Sequence, residues 1–236
     1  MNINMKKIVA TATVAIFTFC NIGNAAKLKL PKLPDFPKPT ISAGLQGTIG
    51  KLDATGKETF NSKTSLKSRE MVMGYVSGFA EIHLGPIVRI GGSIVPYTLK
   101  SDTVNSIQKS YTAAQDGTGE AQRDQKVQVD LENLASAYVA LHKGYFFIKG
   151  GVIQADLVTN ELLGSGSKYG NADLKGEFFG LGLDRTLDDG RFARIELVQT
   201  SFDDIKLTST GSDNVNVIDI SALSGTNLSF SLGKTF

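Results

Sequence analysis

From Ile41 to the last residue, apolar and polar side chains alternate with a period of two, the signature of half-buried β-strands. Ile41, Ala43, Leu45, Gly47 and Ile49 share one face, and Ser42, Gly44, Gln46, Thr48 and Gly50 share the other. The same pattern predicts further strands at about 70–84, 87–99, 127–142, 145–159, 173–187, 191–207 and 217–236. In the last of these Leu228, Phe230 and Leu232 face Asn227, Ser229, Ser231 and Gly233, and Phe236 closes the chain on the apolar side. In the fifth the phase changes, because Phe146 and Ile148 have one parity while Ile153, Ala155 and Leu157 have the other. A β-bulge at Gly150–Gly151 is expected to restore one apolar outer face.

Connections separate these strands unevenly. Gly85-Pro86, Lys143-Gly144 and Asp188-Asp189-Gly190 read as tight turns after strands two, four and six. Polar stretches at 53–69, 100–126 and 160–172 read as long loops after strands one, three and five, and 211–214 as a turn. An even strand count with short turns at one end and long loops at the other is the asymmetry of an outer-membrane barrel with both termini at the periplasmic end. A soluble sandwich has no reason to show it. A hairpin hidden in 100–126 would raise the count to ten.

Upstream, residues 1–26 read as a secretory signal: Lys6 and Lys7, then an apolar run from Ile8 to Phe19, then Gly23-Asn24-Ala25 at the cleavage site. Residues 27–40 carry Pro31, Pro34, Pro37 and Pro39 and read as an extended periplasmic lead-in. The barrel domain is then 41–236. Losing Lys6 and Lys7 takes the 25 Lys and Arg to 23, equal to the 23 Asp and Glu, so no basic bias points to nucleic acid. The one cysteine, Cys20, lies in the leader, which removes disulfides and thiolate metal sites from the mature chain.

On the parity assigned to the lumen stand Glu81, Arg89, Asp130, Glu132, Lys149, Asp184, Arg194 and Glu196. A turn centred on Gly85 sets Glu81 across from Arg89, and one centred on Asp189 sets Asp184 across from Arg194, both favourable cross-strand pairs. An eight-stranded barrel is just wide enough to be filled by its own side chains. The expectation is therefore a plugged, ion-paired interior, with a narrow gated passage as the alternative. The two histidines, His83 and His142, each stand six residues from a serine (Ser77, Ser136), roughly 20 Å along a strand, so neither pair can hydrogen-bond within its strand. Ser42 is placed to approach His83 and Glu81 only if the register allows it. No metal site or cofactor is expected. Loop acids such as Asp102, Asp116, Glu120 and Asp124 read as solvated carboxylates. Aromatics near strand ends (Tyr75, Phe79, Tyr97, Tyr138, Tyr145, Phe146, Phe147, Phe192) fit an interfacial girdle as well as ordinary β-propensity.

Leader, eight strands, charged lumen, long outer loops and terminal Phe together resemble the small outer-membrane β-barrel family typified by the outer-membrane protein A transmembrane domain and outer-membrane protein X. The resemblance implies an all-β, closed, antiparallel up-and-down transmembrane barrel in the bacterial outer membrane, in contact with its lipid and lipopolysaccharide. It also implies that Leu228, Phe230, Leu232 and Phe236 form the signal read by the barrel-insertion machinery. A structural or surface-exposed, non-enzymatic role is expected first, a small porin-like channel second, and a lipid A-modifying enzyme third.

Overall fold

The computed structural model describes residues 38–60, 63–101, 104–110, 121–162, 168–210 and 217–236. The expected secretory leader, nearly all of the proline-rich lead-in and the expected 211–214 turn lie outside them. The strands are β1 (Thr40–Phe60), β2 (Lys63–Leu84), β3 (Val88–Ile94), β4 (Leu99–Lys100), β5 (Val104–Ser110) and β6 (Ala121–Lys143). They continue as β7 (Phe146–Leu162), β8 (Lys168–Tyr169), β9 (Ala172–Thr186), β10 (Arg191–Phe202), β11 (Ile205–Thr210) and β12 (Val217–Thr235). Eight of them close an antiparallel ring in the order β1-β2-β3-β6-β7-β9-β10-β12, and β12 returns to β1 from Ser42↔Thr235 to Thr59↔Val217. The fold class read from the alternation is the one observed. β5 does form a hairpin in the 100–126 stretch, but it pairs with the upper part of β6 and prolongs the β3–β6 hairpin, so the ring stays at eight.

Ring closure follows from what the outer face presents. Ile41, Leu45, Ile49, Val76, Ile82, Leu181, Leu183, Ile195, Leu197, Leu228, Phe230 and Leu232 all point outward and lie open. Such a continuous apolar belt is unstable in water. Lipid accepts it only if the backbone behind it is paired into a closed ring. Short turns join β2–β3, β6–β7 and β9–β10 at the end where both described termini lie, where Phe236 N–H donates to the Ile41 carbonyl at 2.8 Å. The other end extends far beyond the belt. The 53–69 stretch is not a loop but the continued pairing of β1 and β2 up to Phe60↔Lys63. Its Ser, Thr and Lys content made it look like a loop, yet polar strands are stable where both faces meet water.

Two positions in this frame give direct tests. Gly44 lies at the β1–β12 seam, where an added Cβ would stand 2.2 Å from the Leu232 carbonyl oxygen. Gly44→Val should cost about 1–3 kcal/mol by overpacking, read as a lower urea midpoint; an unchanged midpoint would show that the seam is looser than described. In the β9–β10 turn, Gly190 takes φ +80° and the Arg191 N–H donates to Asp189 Oδ1 at 3.1 Å. That backbone hydrogen bond, then the Arg191 guanidinium, holds the exposed Asp189 carboxyl below its ordinary 3.8. A depressed carboxylate stabilises the turn above its unfolded value and loses that contribution as pH falls through the folded one. Exchange of the Arg191 amide should therefore quicken, relative to neighbouring amides, only below about pH 4.

Candidate functional site: a three-tiered interior beside a break in the wall

Along the short-turn half, inward residues alternate without interruption, and their register builds a charged floor. Arg194 on β10 stands directly opposite Asp184 on β9. Its guanidinium also crosses the lumen to Glu81, with Nη1–Oε1 at 2.7 Å and Nη2–Oε2 at 2.9 Å. Arg89 completes the group at 2.7 Å from Asp184 Oδ2 and 3.7 Å from Glu81 Oε2. The expected facing of Glu81 and Arg89 is corrected: the turn places Arg89 opposite His83 and Glu81 opposite Gly91, so the contact is diagonal. Phe79, Phe147 and Phe192 surround the Arg194 guanidinium, with ring centroids 5.1–5.5 Å from Cζ. Three π faces partly replace the water that a buried cation loses.

A second ion pair sits deeper in the lumen. Lys149 Nζ donates to Glu196 Oε1 at 2.7 Å, and the Gln46 amide donates to the same oxygen. The Lys149 ammonium also lies over the Tyr138 ring at 4.8 Å. Glu81, Asp184, Arg194, Glu196 and Lys149 are all buried. Six of the eight charged residues assigned to the lumen thus come together.

Asp130 and Glu132 do not. β6 takes an extra turn at Asn133 (φ +53°), and its register against β7 shifts between Glu132 and Ala135. The shift turns Leu131 and Leu134 inward and puts Asp130 and Glu132 on the opposite face. There Asp130 accepts hydrogen bonds from Gln128 and Asn160, at 3.1 and 2.8 Å. The bulge expected at Gly150–Gly151 is absent: pairing runs through Val139↔Gly150 and Tyr138↔Gly151 without a shift. Phe147, Lys149, Ile153, Ala155 and Leu157 consequently share the inner face.

That parity exposes a tier invisible in the alternation. Above the ion pairs the interior becomes apolar, with Val95, Leu131, Leu134, Ala155, Leu157, Leu174, Ile205, Leu207 and Leu223 packed as one cluster. Between charged floor and apolar roof lies a chamber of ≈ 50 Å³. Its walls carry the polar Gln46, Thr48, Ser77, Ser136, Glu196 and Ser229 together with Tyr75, Val95, Leu134 and Ile153.

At the same height the barrel wall is incomplete. β2 and β3 pair only from Gly78↔Ile94 to Leu84↔Val88. Beyond that point the chain bends at Val95-Pro96, β4 pairs with β6, and β2 has no strand on that side among the described residues. Proline has no N–H to continue the ladder. The Val76 N–H, level with Gly47 and Phe230 inside the apolar belt, donates instead to the Tyr97 phenol oxygen at 2.7 Å. Beside this break, over the paired β12–β1–β2 wall, lies an outer groove of ≈ 500 Å³ bordered by Gly47, Ile49, Gly74, Val76, Tyr97 and Phe230. Thr48, Tyr75 and Ser229 border both groove and inner chamber.

The histidine corner has a specific geometry. Ser42 Oγ lies 2.9 Å from His83 Nε2 and donates to Glu81 Oε2 at 3.3 Å. Glu81 approaches the same ring nitrogen, at 3.8 Å. In a nucleophile–base–acid relay the carboxylate holds the nitrogen opposite the nucleophile, so this is a hydrogen-bonded corner of the floor. His142, the second histidine, is buried and stacks on Phe147 at 5.0 Å. Leu228, Phe230 and Leu232 stand on the outer face of β12, more than half exposed, with Phe236 beyond them.

No protein-family model matches the chain, and no characterised protein matches it by sequence. Its fold is similar to solved outer-membrane proteins. OprG from Pseudomonas aeruginosa superimposes with a TM-score of 0.51 at 12% identity, over 83% of this chain and 95% of that one. The protease OmpT from Escherichia coli gives a TM-score of 0.44 at 10% identity, over 87% and 99%. The Yersinia pestis attachment invasion locus protein Ail gives 0.32 at 8% identity, over 81% and 98%. The likeness is one of fold: a small barrel of the bacterial outer membrane.

Proposed function

We propose that this integral outer-membrane β-barrel passes small apolar solutes between its interior and the surrounding bilayer, sideways through the break between β2 and β3. The supporting observation is that β2 loses its partner strand beyond Gly78↔Ile94, at the height where Tyr75 and Val95 wall the inner chamber. The floor argues against travel along the barrel axis. Moving an ion past Arg194 would separate buried charges that already satisfy one another. An apolar solute has no such barrier in the roof and gains by entering lipid.

In the same reading Leu228, Phe230, Leu232 and Phe236 serve as the insertion signal during assembly. The outer lipid, including lipopolysaccharide, is the partner of the belt. The Ser42–His83 corner seals the floor and performs no chemistry. Extension of β1, β2 and β12 beyond the belt supports a second, surface-exposed role for that end.

The test uses Ser77→Cys with Val95→Cys, which would face each other if the β2–β3 register continued by one residue. In liposomes, wild-type protein should speed n-octane uptake over protein-free vesicles. The oxidised double variant should not, and reduction should restore the rate. Uptake equal to that of protein-free vesicles would end the proposal.

A further inference from the structure

Glu196 is 2% exposed, yet only one of its carboxylate oxygens is engaged. Oε1 accepts from Lys149 and Gln46, while Oε2 is buried with no hydrogen-bond partner. A buried carboxylate oxygen left unpaired is costly and calls for an occupant. Glu196 lines the ≈ 50 Å³ chamber, whose opposite wall is apolar at Tyr75, Val95 and Leu134. We propose that this chamber is the head-group subsite for an apolar solute bearing one neutral hydrogen-bond donor, an alkanol, whose O–H donates to Glu196 Oε2. The inference rests on the sideways route, because the solute's tail leaves the chamber past Tyr75 and Val95 towards the break.

Size and charge select this class. A cavity of about 150 Å³ takes a benzene, so the chamber accommodates a hydroxyl and its first carbons but no ring. The six charges that meet in the lumen balance, Arg89, Lys149 and Arg194 against Glu81, Asp184 and Glu196. An ammonium head would therefore meet Lys149, and a carboxylate head would meet Glu196. A neutral donor meets neither penalty and completes the unfilled acceptor.

The experiment uses the full barrel in nanodiscs, methyl-labelled, with 1-octanol carrying ¹³C at carbon 1 and with octane as the matched probe. Cross-peaks should connect the labelled methylene to Val198 and Thr200 methyls on the chamber wall, and octane should give none there. Glu196→Gln removes the charge-assisted acceptor for the hydroxyl and should weaken 1-octanol occupancy about tenfold. Retention of heat-modifiable gel migration shows that the variant is folded. The wild-type comparison stands even if the variant does not fold. Equal cross-peaks from octanol and octane, or water alone in the chamber at saturating octanol, would overturn the proposal. If octane uptake into liposomes occurs while octanol shows no preference in the chamber, this subsite is wrong and the sideways route survives. If uptake is absent as well, both are wrong.

Discussion

Exchanging Arg194 for Met should cost the barrel about 3–5 kcal/mol, with urea unfolding followed by loss of heat-modifiable migration. The size comes from what remains behind. Glu81 and Asp184 each bond to Arg194 within 3.1 Å and are buried. Without the guanidinium they face one another across an interior that admits little water. Arg89 reaches Asp184 well at 2.7 Å but Glu81 only at 3.7 Å, so it cannot replace Arg194 for both. Combining Arg194→Met with Glu81→Gln should therefore cost less than the two single changes summed, since each single change strands the other's charge. Additive costs would mean that the floor is hydrated and its charges act independently.

Phe230→Arg should cost about 2–4 kcal/mol when the barrel refolds into bilayers, the penalty for a cation on the lipid face near the midplane. Phe230 lies between Ile195 and Gly47 on the outer surface and is 53% exposed. Thr226, four residues up the same outward row, pairs with Gln199 and sits where the belt turns polar. Thr226→Arg should cost about 0–1 kcal/mol. The contrast separates lipid from water: if both changes cost the same, the row does not face acyl chains.

How much of this was legible in the sequence depended on whether the inside is the polar side. Along β1, β9, β10 and the lower part of β12, apolar residues face lipid and polar ones face the lumen, so period-two alternation reported the orientation directly. In the roof the polarity is reversed, with Ala155, Leu157, Leu174, Ile205 and Leu207 inward and Gln154, Asp156, Asp173, Lys175 and Lys206 outward, so the same rule turns the wrong face to the lumen. Alternation alone puts Ile153, Ala155 and Leu157 outward and requires a bulge, because it presupposes a polar lumen. The real register shifts lie in β6 beside Asn133 and in β12 beside Ala222, both at positive φ. Asn adopts that conformation more readily than most residues, a weak signal that Asp130 and Glu132 would leave the lumen. Ala222 gave no signal at all.

The site divides along the same line. That Glu81, Arg89, Asp184 and Arg194 share a face followed from parity and hairpin turns. That Arg194 reaches Glu81 followed from neither, because β10 and β2 are not neighbours in the ring. The chamber depends on where a charged tier meets an apolar one, which pairing alone does not locate. The break had one legible sign: Pro96 inside a stretch otherwise read as a strand.

Planar-bilayer recording of the purified barrel tests the central claim most directly, namely that the Arg194 floor closes the axis to ions while the proposed route leads sideways into lipid. The wild-type protein should give no stepwise current at about 100 mV in either polarity. Regular steps from single insertions would show a conducting lumen and contradict the account.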